Sequence, residues 1–179
     1  MLKYYPHGDL KNYVAKNGRS LTKQLKRWAR QIIEGVAKVH RNGIRHSDLR
    51  LDQWSVDEDL NARLCDFNAS GYDANKRLDL PASKALGLES YSHYMPRDPE
   101  LDNTDLSDLF ALGSALYELE AGEKPFAGEE GEIITEHFEV GRYPEVDALS
   151  FGGITGKCWK GEFETALDLL HAGEKSCGL

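Results

Sequence analysis

The run LSDLFALGSALYELEAG, residues 106–122, is apolar nearly all the way round a helical wheel. A helix without a polar face is stable only inside a domain, so the rest of the chain has to be wrapped around this one. Thr104 or Asp105, just ahead of it, supplies the N-terminal cap. A chain of 179 residues has the means to do the wrapping. It is the size of one domain and buries roughly 70% of the surface its unfolded form exposes.

The elements around that helix follow from spacing. Asp9 caps a short helix, LKNYVAK, that stops at Asn17-Gly18. After Ser20, the residues Leu21, Leu25, Trp28, Ile32, Val36 and Val39 recur at helical intervals, which predicts an amphipathic helix closed by Asn42-Gly43. WSV and ARLC flank DEDLN and predict a small β-hairpin between Gln53 and Cys65. The next stretch, with GYDANKRLDLPAS at its centre, has no period, and a loop of that length in a compact domain is usually functional. Further helices are expected over GEIITEHFEVG, DALSFGGITGKCW and GEFETALDLLHAG.

Composition narrows the function. A formal charge of −8 disfavours a phosphate-backbone partner, so no nucleic-acid binding is expected. No apolar run of signal length follows Met1 and no stretch approaches eighteen apolar residues. Neither a leader nor a membrane span is expected, and the expected location is the cytosol, with the nucleus as the alternative. Cys65, Cys158 and Cys177 are odd in number and lack CxxC spacing, so they predict neither a disulfide framework nor a zinc site.

Chemistry enters with IRHSDLRLDQWSVDEDLNARLCDFNAS, residues 44–70, which sets the Asp of His-x-Asp eighteen positions (66 − 48) ahead of the Asp of Asp-Phe. Taken alone, each aspartate is best explained as satisfying backbone donors in a turn. Their shared context changes that. A His-x-Asp turn after a long helix, a hairpin, an Asp-Phe pair, a long loop with proline and the buried SDLFALG helix together resemble the C-terminal lobe of a eukaryotic protein kinase. VDEDLNARLCDF is similar to fungal kinase-like proteins. The resemblance covers nearly the whole chain and implies a mainly α fold, a helical bundle with a small β-hairpin at the catalytic and metal loops.

On that resemblance residues 1–10, with LKYYPHGDL, are hinge-like, 44–53 are the catalytic loop, 66–97 the activation segment and 98–179 a helical subdomain. Asp48 and Arg50 are the implied catalytic residues, Asp66 and Gln53 the metal positions, and Tyr5, Asp9 and Ser55 the nucleotide contacts. His46, Phe67 and Asp108 are structural, Asp108 anchoring the catalytic-loop backbone from the buried helix. Phosphoryl transfer needs one carboxylate on the substrate hydroxyl and another holding magnesium against ATP, both fixed in place.

Several residues depart from the family pattern. Gln53 stands where the family has a magnesium-binding Asn, and its extra methylene displaces the ligand oxygen. Asn68 replaces the glycine after Asp-Phe, a position expected at positive φ. Ser47 replaces the arginine that receives an activation-loop phosphate, and Ser55 the apolar floor under adenine. Arg97 takes the place of a glutamate whose arginine partner near Ala166 is also missing. It is expected to be solvated, with a reversed pair to Glu162 or Glu164 as the alternative, and Glu100 is the other candidate for the glutamate. None of the seventeen glycines forms GxGxxG, so the expectation is a C-lobe without its N-lobe, or a piece of a longer kinase.

The functional expectation is a truncated lobe or pseudokinase acting by protein binding. ATP and magnesium are expected only for an active full-length kinase and none for this chain alone. The alternatives are the C-lobe of an active kinase, Ser/Thr rather than Tyr, and a small-molecule phosphotransferase, against which the buried helix speaks. Leu2, Tyr4, Tyr5, Trp54 and Phe67 are expected on the face an N-lobe covers, where a protein partner or a second copy would bind.

Overall fold

In the computed structural model, which describes residues 4–17, 22–98 and 100–179, the apolar run is the central helix. This helix, α3 (Asp105–Ala121), is buried at every residue from Ser107 to Leu116. Thr104 starts it through a capping box with Ser107, and Gly122 ends it in the left-handed conformation at φ 81°. Where α5 (Gly152–Trp159) crosses α3, Gly113 allows the approach, because a Cβ there would lie 2.6 Å from that of Cys158. Beside it the Trp159 indole donates to Ser114 Oγ at 2.9 Å, so neither polar group is buried without a partner.

The preceding helices lie on the other side. α1 (Leu10–Asn17) is capped by Asp9, whose Oδ1 accepts from the Asn12 amide at 2.9 Å. α2 (Thr22–Arg41) inserts Trp28, Ile32, Ile33 and Val36 into the main core between α3 and α6 (Ala166–Ser176). It stops at Asn42, whose side chain donates to the Lys38 carbonyl at 2.8 Å. Gly18, Ser20 and Leu21, at the expected end of α1 and start of α2, lie outside the described residues, as do Leu2 and Pro99.

Two small antiparallel sheets follow α2. β1 (Ile44–Arg45) pairs with β4 (Gly71–Tyr72), and β2 (Trp54–Val56) with β3 (Ala62–Leu64), Trp54 opposite Leu64. The β2–β3 hairpin was expected and its polar turn is organised by Asp57, which accepts from the Asn61 amide at 2.8 Å and from Arg63 Nε at 2.8 Å. The β1–β4 pair was not expected, since two-residue strands carry no alternation to read. Trp54 was expected on an exposed face, but it is fully buried in the main core, because β2 turns that side chain inward beneath α2.

The C-terminal helices are shorter than the spacing predicts. α4 (Gly131–Glu139) joins Phe110 and Trp159 in a second core through Ile134 and Phe138. The helix expected over 147–159 begins only at Gly152. Ahead of it the chain makes turns, and the Ser150 and Phe151 amides donate to the carboxylate of Glu120 on α3. α6 begins at Ala166 because the capping box of Thr165 with Asp168 fixes its start there.

A short 3-10 turn, Tyr91–His93, sits between α3 and α4 with His93 fully buried, its Nε2 3.7 Å from Glu118 Oε2. Burial, then the positive charges of Lys124, Arg50 and Lys11, brings the His93 pKa down to about 3, and burial pushes the Glu118 carboxyl up. The unfolded imidazole protonates near pH 6.5, so between that value and about 3 the unfolded chain binds more protons and stability falls as the pH is lowered. Denaturation of the wild type between pH 7 and 5 should show a loss of up to about 1.4 kcal/mol per pH unit from this group. His93→Gln should lack that part of the slope, and the difference between the two proteins isolates it from Glu118, which acts in the opposite sense.

Candidate active site

Asp108 faces inward from the first turns of α3 and is 1% exposed. Its Oδ2 accepts from the His46 amide at 2.7 Å and meets His40 Nε2 at 2.9 Å, while Oδ1 accepts from the Ser47 amide at 2.9 Å. Held this way, Ser47 adopts φ 64°, a left-handed conformation that costs a non-glycine residue of order 1–3 kcal/mol unless the surroundings enforce it. From the other side its carbonyl accepts from the Leu88 amide at 3.1 Å. His46 Nε2 reaches the Cys65 carbonyl at 2.9 Å, and its ring lies 5.1 Å from that of Phe67. The turn at 46–48 is thereby joined to the loop at 65–67. His40 was missed in the sequence; the signal was that a buried Asp108 needs a further donor and that His40 lies in the last turn of α2.

Asp48 follows the strained residue and is 6% exposed. Its Oδ2 accepts from Gln53 Nε2 at 2.7 Å and lies 3.3 Å from Arg50 Nη2, whereas Oδ1 is buried without a hydrogen-bond partner among the described residues. Burial pushes the Asp48 carboxyl up, against the opposing pull of Arg50 and Gln53. Arg50 is shared with Asp52, 2.7 Å from its Nε. The backbone of Gln53 is fixed by its amide on the Arg50 carbonyl at 2.9 Å and by the Cys65 amide on its own carbonyl at 2.9 Å. Its long side chain is 4% exposed and turned back on Asp48.

Asp66, just past Cys65, has φ 58° and an exposed side chain that makes no hydrogen bond or ion pair among the described residues. The left-handed residue of this loop is therefore Asp66 and not Asn68 as expected; Phe67–Ala69 closes a 3-10 turn, which keeps Asn68 right-handed. Magnesium takes oxygen ligands in near-octahedral geometry. Asp66 can offer such an oxygen; the NH2 of Gln53 is engaged by Asp48, and no group of three acidic, His or Cys side chains that could hold a metal ion is found among the described residues.

The three expected nucleotide contacts are split. Asp9 is engaged as the α1 cap, its two oxygens on the Asn12 amide and side chain. Ser55 bridges to Asp9 through the backbone, and its Oγ is 3.5 Å from Cys65 Sγ. Tyr5 lines a groove of about 470 Å3 with Val39, Leu64 and Phe67. Tyr4 is 80% exposed and Phe67 44%.

Arg97 is neither solvated nor paired with Glu162 or Glu164. Its Nη2 is 3.0 Å from Oε1 of Glu89, a residue eight positions earlier whose side chain is 1% exposed. The irregular loop folds Arg97 inward, where its charge is answered locally. Glu100, the other candidate for that position, is exposed, its amide on Asp98.

Against known families, residues 1–150 match the protein kinase domain. The chain is 29% identical over 148 residues to the human NUAK family SNF1-like kinase 1, covering 81% of this chain and 22% of that protein. It is 27% identical over 159 residues to the Xenopus laevis maternal embryonic leucine zipper kinase, covering 86% and 24%. It is 30% identical over 139 residues to the Saccharomyces cerevisiae serine/threonine-protein kinase PKH1, covering 70% and 18%. The chain thus spans less than a quarter of the length of these curated relatives.

Asparagine at 108 retains one acceptor oxygen where two amides need two. Asp108→Asn should therefore lose roughly 1.5–3 kcal/mol of stability in chemical denaturation. Asp66→Asn, at an exposed carboxylate and a left-handed position that Asn tolerates, should change stability by no more than about 0.5 kcal/mol.

Proposed function

The chain belongs to the protein kinase family, and on that premise we propose that it is a kinase-type C-terminal lobe that acts by binding protein, its transfer chemistry weakened at the metal position. Active members of the family use ATP with magnesium, and their catalysis is almost entirely positioning and charge stabilisation. One carboxylate works on the substrate hydroxyl and another holds the metal against the phosphates. The observation that carries the reading is the 2.7 Å hydrogen bond from Gln53 to Asp48. It occupies Oδ2 of the aspartate and commits the side chain at the metal position to a contact with Asp48. Ser47, Ser55 and Asn68 support the same reading.

The surface for binding in this reading is the groove of Tyr5, Val39, Leu64 and Phe67, which Glu34, Lys38 and Arg63 also line, so that it suits a protein partner with an apolar side chain flanked by charges. A net charge of −8 argues against nucleic acid, and no helix among the described residues is long and apolar enough to cross a membrane. The second reading, an active Ser/Thr-type kinase, is favoured by the unpartnered Asp48 Oδ1 and the open carboxylate of Asp66.

Radiolabel transfer from ATP by the natural gene product separates the two. Transfer with magnesium should not exceed that of Asp48→Asn, and partner capture should be the same for both proteins. Transfer that disappears in Asp48→Asn at unchanged melting temperature would overturn the binding reading. In a melt, millimolar ATP with magnesium should leave the wild type unshifted, whereas a ligand at a hundred times its dissociation constant adds about 2.7 kcal/mol. Gln53→Asn, which shortens the side chain away from Asp48, is the variant in which a magnesium-dependent shift should first emerge.

A further inference from the structure

Among its described residues the loop from Gly87 to Asn103 has little regular structure, only the 3-10 turn Tyr91–His93. Its order has to come from side chains, and they converge on Glu89. Oε1 of Glu89 accepts from Arg97 Nη2 at 3.0 Å and from the side-chain amide of Asn103. Arg97 is in turn fixed by its Nη1 on the Met95 carbonyl at 3.2 Å and by the Tyr94 ring, whose centroid is 4.6 Å from its guanidinium carbon. The Tyr94 hydroxyl closes back on the Arg97 carbonyl at 3.2 Å.

These contacts tie the loop to three fixed bodies. Leu88, next to Glu89, donates its amide to the carbonyl of Ser47 in the strained turn ahead of Asp48. Met95 packs on the second core beside Phe110 and Phe138. Asn103 directly precedes Thr104, the cap of α3. Gly87 lets the backbone close over the cluster at φ +64°, where a Cβ would stand 3.1 Å from Asn103 Oδ1 and 3.5 Å from Glu89 Oε2.

We propose that Glu89, Arg97 and Asn103 form an internal latch that holds the loop onto the Ser47 turn, so that opening the latch releases the turn that positions Asp48. A buried ion pair suits this role. Intact it costs little, but removing one partner leaves the other charge buried and uncompensated. Burial already pushes the Glu89 carboxyl up against the pull of Arg97, and its Oε2 lacks a hydrogen-bond partner among the described residues, so the closed state is held without surplus. The inference goes beyond the functional reading above, because it concerns the position of the turn whether or not transfer occurs.

Amide hydrogen exchange on the whole protein tests it. In Glu89→Gln and in Asn103→Ala, which keeps the ion pair, the amides of Leu86, Leu88 and Ser47 should exchange at least tenfold faster than in the wild type, while the amides of α3 from Leu109 onward keep their rates. The charge swap Glu89→Arg with Arg97→Glu should recover part of the protection that Glu89→Gln loses. Unchanged exchange at Leu88 and Ser47 in both single variants overturns the latch. So does equal acceleration throughout α3, which makes the cluster a part of global stability. If Glu89→Gln does not fold, Asn103→Ala alone decides between these outcomes.

Discussion

A carboxylate inside a helix core has to be answered by donors, and at Asp108 the donors are supplied from two directions: the backbone of the turn at His46 and Ser47, and the side chain of His40. That demand organises the site. An ionised group without partners in such a place is costly enough to unfold a small domain, so the turn is drawn to the helix and kept in a conformation it would not choose alone. The end of α2, the turn before Asp48 and the start of α3 meet at one side chain. Apolar packing around α3 stabilises the lobe, but the polar cluster decides where the loops go.

On that scaffold the chemistry turns on the length of one side chain. The fold delivers Asp48, Gln53 and Asp66 to one end of the β2–β3 hairpin, and the backbone of Gln53 is held by the same pairing that would hold a shorter residue. From there its side-chain amide donates to the aspartate. A fold of this kind carries more than one function, and the difference is made by single side chains at its site.

What was legible in the sequence was local. The burial of α3, the amphipathic face of α2, the caps at Asp9 and Thr104 and the polar turn of the hairpin can be read because each is written within a few residues of where it acts. The spacing of Asp48 and Asp66 was legible only through the order of the elements around them. Other features are set by tertiary contact. The direction of the Gln53 side chain, the inward turn of Trp54 and the pairing of Arg97 with Glu89 have no periodic signature. The partnership of His40 with Asp108 joins positions 68 residues apart, and the left-handed backbone at Asp66 rather than Asn68 depends on where the 3-10 turn begins.

The start of α5 carries a consequence for the C-terminal third of the chain. The helix has eight residues, three of them glycine, and no cap from its own preceding residues. Short helices of that kind do not nucleate alone, because the first turn costs more conformational entropy than one hydrogen bond returns. The acceptor for the amides at its threshold is Glu120, thirty residues upstream at the end of α3. The start of α5 is therefore defined by α3 and not by its own sequence, which ties the C-terminal third of the chain to the central helix. A change of Glu120 is thus felt at Phe151 and along the helix that carries Trp159, far from where it is made in the sequence.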